Sequence, residues 1–228
     1  MEIIKDPNFD PPELGCVLDL TGLPGSSSRI YDRSPYGHEC IITGAVWKRL
    51  PSGLWYLDHD GTDDVATVTN AASLHPLVDD WSIRIWARIP PNADREGILD
   101  AFSTAGFYLD IQANGKLRGA LQSSGSDYVY GDSSLVADDN IWHNFGLSWD
   151  FSAKTVKILM DGVDLTTGGG TGGTMGSIVN DANLSIGSRG AADFLNFGWS
   201  LLVIHRRLLA PTEFLYHYNQ EKHLFGVW

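Results

Sequence analysis

Four aspartates crowd one short stretch, at Asp58, Asp60, Asp63 and Asp64. Calcium takes roughly six to eight oxygens, mostly carboxylates and carbonyls gathered from loops. The stretch is therefore the best candidate metal site, with calcium as the cofactor. The other reading is a solvated turn whose aspartates accept backbone N–H groups. It is not an EF-hand loop, because Gly61 stands in the wrong place.

A second set mixes rings with planar polar groups. Arg84, Trp86 and Arg88 alternate along one apolar stretch, and Tyr108, Asp110 and Gln112 along another, with Arg118 beyond. On neighbouring strands these side chains would share a face. Sugars are held by such sets: a ring lies under the C–H face of the pyranose, and amides, guanidinium groups and carboxylates meet the hydroxyls. The competing reading is an ordinary solvent-facing sheet with Trp86 tucked under a loop.

Other chemistry finds little support. His38, His59, His75, His143 and His205 are scattered, and His217 and His223 stand six apart, so no zinc spacing is present. A glycosidase needs two carboxylates held together, and the six glutamates show no such spacing. Gly131-Asp132-Ser133 resembles an esterase signature but lacks the strand-to-helix turn that exposes the nucleophile, and it is read as a loop. Thr166 to Ser177 is glycine-rich and reads as a flexible loop; without a following Lys-Ser/Thr it is not a phosphate loop. Asn183-Leu184-Ser185 is a glycosylation sequon.

The elements that must position these residues are strands. Trp81 to Ile89 alternates strictly, with Trp81, Ile83, Ile85, Ala87 and Ile89 on one face. Phe107–Gln112 and Lys116–Gln122 are joined by Ala113-Asn114-Gly115, a strong hairpin signal. Trp142–Trp149, Thr155–Met160 and Leu184–Ile186 follow, and Trp199–Ile204 is apolar enough to be covered on both faces. Pro211 to Tyr216 opens with proline and reads as one short helix.

The 228 residues suit one large all-β domain with a substantial core. A net charge of −12 argues against a nucleic-acid partner, since phosphates demand clustered cations. No apolar run is long enough for membrane insertion, and residues 1–7 lack the apolar core of a signal peptide. Cys16 and Cys40 either pair or lie buried as free thiols.

Four segments together resemble the laminin-G-like, pentraxin-like branch of the concanavalin A superfamily. They are Tyr31 to His38, Leu57 to Asp64, Ile141 to Asp150 with Val156 to Gly162, and Trp199 to Phe214. The resemblance implies a two-sheet antiparallel jelly roll over residues 14–228, preceded by an extended arm at 1–13. It also implies that an acidic loop like Asp58–Asp64 can share calcium with carboxylates at the start of the last strand. Here those positions are Ser200 and Leu201.

The expected function is a non-catalytic binding module that recognises carbohydrate through Arg84, Trp86, Arg88, Tyr108, Asp110 and Gln112, outside the cell or on a virion surface. The alternative is a structural surface protein or adhesin. It would dock a protein partner through its termini, with Leu224 to Trp228 as an aromatic anchor.

Overall fold

The computed structural model describes residues 14–21, 28–91, 94–190 and 192–228; the expected arm at 1–13 lies outside them. The strands run in chain order as β1 Cys16–Leu20, β2 Arg29–Tyr31, β3 Glu39–Thr43, β4 Val46–Arg49, β5 Trp55–Asp60, β6 Val65–Val68, β7 Trp81–Arg88, β8 Glu96–Phe102, β9 Gly106–Ile111 and β10 Lys116–Ser124. They continue as β11 Asp127–Val136, β12 Trp142–Asp150, β13 Thr155–Met160, β14 Val163–Asp164, β15 Thr166–Gly172, β16 Leu184–Ile186, β17 Ser188–Arg189, β18 Asp193–Phe194 and β19 Asn196–His205. A helix, α1, spans Pro211–Glu221 and passes into a 3-10 turn at Lys222–Phe225.

Two large antiparallel sheets result, with β17 and β18 paired as a separate two-stranded ribbon. The first has eight strands in the order β14-β13-β12-β7-β19-β5-β4, with β1 also on β19. The second has nine, β15-β11-β10-β9-β8-β16-β6-β3-β2. The alternation read from the sequence sets their inner faces. Trp81, Ile83, Ile85 and Ala87 of β7 meet Phe107, Leu109 and Ile111 of β9 in one core, all of them essentially unexposed. Burying each such side chain contributes about 1.5–3 kcal/mol, so the sandwich needs no covalent staple. Cys16 and Cys40 are both buried and free.

β19 explains how one strand can be apolar on both sides. A bulge between Ser200 and Val203 shifts its register against β7, and Leu201 takes a left-handed φ of 51° there. Phe197, Trp199, Leu202 and Ile204 enter the main core, while Leu201 points the other way, into a cluster with Trp86 and Phe225. The strand begins at Asn196, which lies opposite Asp60. The sequence reading started it three residues late because Asn196-Phe197-Gly198 carries a turn-like composition.

The helix is longer than the sequence suggests and covers the outer face of the first sheet. Phe214 is fully buried and sits directly above Gly146, where any Cβ would lie 2.6 Å from its ring. Thr166 to Gly172 is a strand, not a flexible loop. It pairs along β11 from Tyr128↔Gly172 to Ser133↔Thr166, and the ladder of hydrogen bonds outweighs the entropy its glycines lose. Gly131-Asp132-Ser133 is likewise mid-strand in β11, with Ser133 buried and its hydroxyl donating to the Leu135 carbonyl, 2.7 Å.

Candidate functional site

The sugar-binding set expected from the sequence is split between two sheets. β7 lies in the first and β9 in the second, so Arg84, Trp86 and Arg88 face away from Tyr108, Asp110 and Gln112. Period-two alternation gives each strand its two faces but says nothing about which sheet it joins.

The β7 group is covered. Trp86 is 0% exposed: Phe225 stacks on it at 4.1 Å between centroids and 9° between planes, with Tyr218 at 5.7 Å. Its Nε1 donates to Glu221 Oε2 (2.7 Å), and Arg84 Nη1 donates to Glu221 Oε1 (2.7 Å). Arg88 lies over Trp142 and Tyr56 and reaches Asp58 at 3.7 Å. The C-terminal anchor thus divides: Phe225 packs back on the sandwich, while Trp228 is 93% exposed.

Among the described residues no helix covers the outer face of the second sheet, and Tyr108, Arg118 and Tyr130 are half-buried on it. Tyr108, Arg118 and Tyr130 occur together there because Arg118 is opposite both Asp110 and Asp132, and Ala120 is opposite both Tyr108 and Tyr130. Arg118 lies 4.4 Å over the Tyr130 ring and is held by Asp132 through two bonds, Nε to Oδ1 (2.6 Å) and Nη2 to Oδ2 (2.9 Å). Arg95 repeats the arrangement, 5.3 Å over Tyr108, with Nε and Nη2 both donating to Asp110 Oδ2 (2.8 and 2.5 Å). Each guanidinium is thereby held against a ring by a carboxylate, so little side-chain freedom remains to be lost on binding. Asp110 is fully buried; burial pushes its carboxyl up to about 7, against the pull of Arg95 and Arg189.

β15 gives this face its shape. Tyr130 stands opposite Gly170 and Tyr128 opposite Gly172, and the rings lie down over the glycines. A Cβ at Gly170 would come within 2.9 Å of Tyr130, and one at Gly172 would collide with Tyr128. Beside them a shallow pocket of ≈ 270 Å³ opens among Gln112, Lys116, Arg118, Asp132 and Thr167. Tyr128, Tyr130 and Asp132 alternate visibly along their strand, a signal the sequence reading passed over because Gly131-Asp132-Ser133 reads as a loop. Arg95, just before β8, and Arg189, on β17, reach Asp110 from other parts of the chain and leave no local signature.

The acidic stretch also divides. Asp60, Asp63 and Asp64 each place a carboxylate oxygen within 4.8 Å of the others. Asp58 does not join them; it pairs with Lys48 at 2.5 Å and with Arg88. Some of the remaining lone pairs are used: Asp64 Oδ2 accepts Asp60 N–H (2.7 Å), and Asp60 Oδ1 accepts Thr62 N–H (2.8 Å). Burial first, and the neighbouring carboxylates with it, raise the Asp64 carboxyl. Three hard oxygen donors fit calcium in kind, but Ser200 does not contribute, since its hydroxyl donates to the Trp55 carbonyl (3.0 Å).

The histidines fasten loops. His38 Nδ1 meets Asp32 at 2.6 Å and Nε2 meets Ser73 Oγ at 2.7 Å, the order of a nucleophilic triad. Asp32 is occupied with the loop itself, accepting N–H groups of Asp19, Ser34 and His38 at 2.8 Å each. His59 Nε2 accepts Trp199 Nε1–H (3.0 Å), and burial lowers its imidazole to about 4. His143 lies between Asp161 (2.6 Å) and Asp139 (3.2 Å). Burial alone would lower its imidazole, but the two carboxylates outweigh it and hold it above the ordinary value. Its stabilising contribution is therefore complete below the unfolded value of about 6.5 and fades as pH rises through the higher folded one. Urea titrations of wild type and His143→Gln should show a stability gap that is widest near about pH 5.5 and narrows toward about pH 9; a gap independent of pH would rule out the charged contact.

The two-sheet fold and the sequence from the acidic loop to the C-terminal helix lead to one family. The profile of the concanavalin A-like lectin/glucanases superfamily covers residues 60–213. The chain belongs to that superfamily. Among solved structures, the binding domain of paraclostridial mosquitocidal protein 1 superposes with a TM-score of 0.77 at 14% identity, over 93% of this chain and 55% of that one. The binding domain of botulinum neurotoxin serotype G gives 0.71 at 14% identity, over 90% and 51%. The serotype D ligand-binding domain, solved in complex with N-acetylneuraminic acid, gives 0.70 at 14%, over 91% and 51%. The chain thus spans about half the length of these toxin domains, and the likeness is one of fold. No curated protein sequence matches it. As a concanavalin A-like domain it has one outer sheet face roofed by its own C-terminal helix and one that no helix among the described residues covers. No helix among the described residues is long and apolar enough to cross a membrane.

Proposed function

We propose that the domain is a non-catalytic carbohydrate-binding module acting at glycan-bearing surfaces outside the cell, and that it binds on the open face of the nine-stranded sheet. The observation that carries this reading is the Arg118–Tyr130–Asp132 group laid over the glycines of β15, repeated by Arg95–Tyr108–Asp110. Together they offer ring edges and stacked guanidinium groups for C–H groups and preset polar groups for hydroxyls. The fold neighbours add support: the serotype D domain was solved with N-acetylneuraminic acid, and cell entry of botulinum neurotoxin type C depends on interaction with two ganglioside molecules. Of the residues expected from the sequence, Tyr108, Asp110 and Gln112 stay in this site; Arg84, Trp86 and Arg88 leave it. Calcium is the cation we assign to Asp60, Asp63 and Asp64, as a support for the loop and apart from the sugar face.

A glycan array run with calcium and again with EDTA tests the reading, followed by titration of the best binder. Tyr130→Ala should weaken binding at least about tenfold, the equivalent of about 1.4 kcal/mol. EDTA should lower thermal stability more than sugar affinity. A blank array under both conditions would sink the carbohydrate reading and favour the surface-protein alternative, in which the exposed Trp228 docks a partner.

A further inference from the structure

We infer that the pocket at the β10–β15 end of the open face receives a sugar bearing a carboxylate. This rests on the carbohydrate reading above and names its ligand class. At ≈ 270 Å³ the pocket is on the scale of one monosaccharide. Its walls offer more donors than acceptors. Asp132 spends both oxygens on Arg118, so that pair is internally neutral. Lys116 remains: among the described residues no carboxylate lies within ion-pair distance of its ammonium. Gln112 Nε2, also on the wall, is buried and has no acceptor. The pocket therefore carries about one unneutralised positive charge on a protein whose net charge is −12. A neutral sugar supplies acceptors but leaves that charge unmatched; a carboxylate supplies both. Gly168 lines the mouth and adds no side chain to close it, and the Tyr130 ring lies against Arg118 for the next sugar along the chain.

The test uses the whole chain and titrates methyl glucuronide, the methyl glycoside of N-acetylneuraminic acid, methyl glucoside and acetate by saturation-transfer NMR. Either acidic glycoside, or both, should bind at least about tenfold more tightly than methyl glucoside, and which of the two does so identifies the source of the carboxylate. The preference should fade with added salt, because the ammonium is partly exposed. Lys116→Gln, a surface change checked by its melting curve, should bring the acidic glycosides down to the affinity that the same variant shows for methyl glucoside. Tyr130→Ala should weaken every glycoside. Equal affinity for acidic and neutral glycosides, or a preference that survives Lys116→Gln, overturns the acidic class and leaves the carbohydrate reading standing. Acetate binding as tightly as the glycosides also overturns it, as the site would then hold an anion and not a sugar. No binding by any glycoside overturns both.

Discussion

Replacing Trp86 by alanine should lower the unfolding free energy by about 3–5 kcal/mol, the range for deleting a large buried ring. In a domain of this size that is a fall in melting temperature of roughly 10 °C. The cost has three parts in the structure. The ring is wholly unexposed, so its removal leaves a cavity between the first sheet and the C-terminal turn. Phe225, stacked at 4.1 Å, loses its partner, and so does Tyr218. Glu221 loses one of the two donors that hold it, keeping only Arg84. Sugar affinity measured on the surviving folded fraction should match wild type, because the open face lies on the other sheet. A loss below about 1 kcal/mol would mean that the C-terminal turn is not seated there. Loss of sugar binding at full stability would return Trp86 to the binding site.

Arg95→Ala should be the second costly change, and its cost should depend on pH. Breaking a buried pair by removing one partner costs about 3–5 kcal/mol. The lower end, about 3 kcal/mol, is expected here because Arg189 still stands 3.7 Å from Asp110. The carboxylate it leaves is fully buried, with burial already pushing it up to about 7 in the intact protein. A buried acid whose folded value exceeds its unfolded one binds more protons when folded, so its contribution to stability falls as pH climbs from about 4 through about 7. Without Arg95 that fall extends to higher pH. Chemical denaturation should show the full penalty near about pH 8 and little of it near about pH 4.5. A penalty equal at both would mean that Arg95 acts through its packing on Tyr108 alone.

Much of the framework was legible because it depends on neighbours in sequence. The alternation in Trp81–Ile89, the turn at Asn114-Gly115 and the proline opening the helix each reflect local chemistry, and each element formed. What failed depended on partners far away. Trp86 reads as a ligand platform on its own strand; its burial comes from Glu221 and Phe225, more than 130 residues later. Asp58 and Asp60 look equivalent two positions apart, yet Lys48 on the adjacent strand and Arg88 two strands away neutralise the first, while the turn at Gly61 carries the second toward Asp63 and Asp64. The glycine run at 166–172 shows the limit of composition as a guide. Glycine disfavours an isolated strand, but β11 supplies a ready ladder and two rings that need the space.

That last feature has an effect on how the surface tolerates change. Gly170 and Gly172 touch no ligand in the proposed site, yet any side chain placed there would lift Tyr130 or Tyr128 off the sheet and tilt the face proposed to meet the sugar. A serine or alanine at these positions is conservative by size and would still be felt at the ligand, as a change of slope under it. The glycines of β15 are the mould in which the binding surface is cast flat.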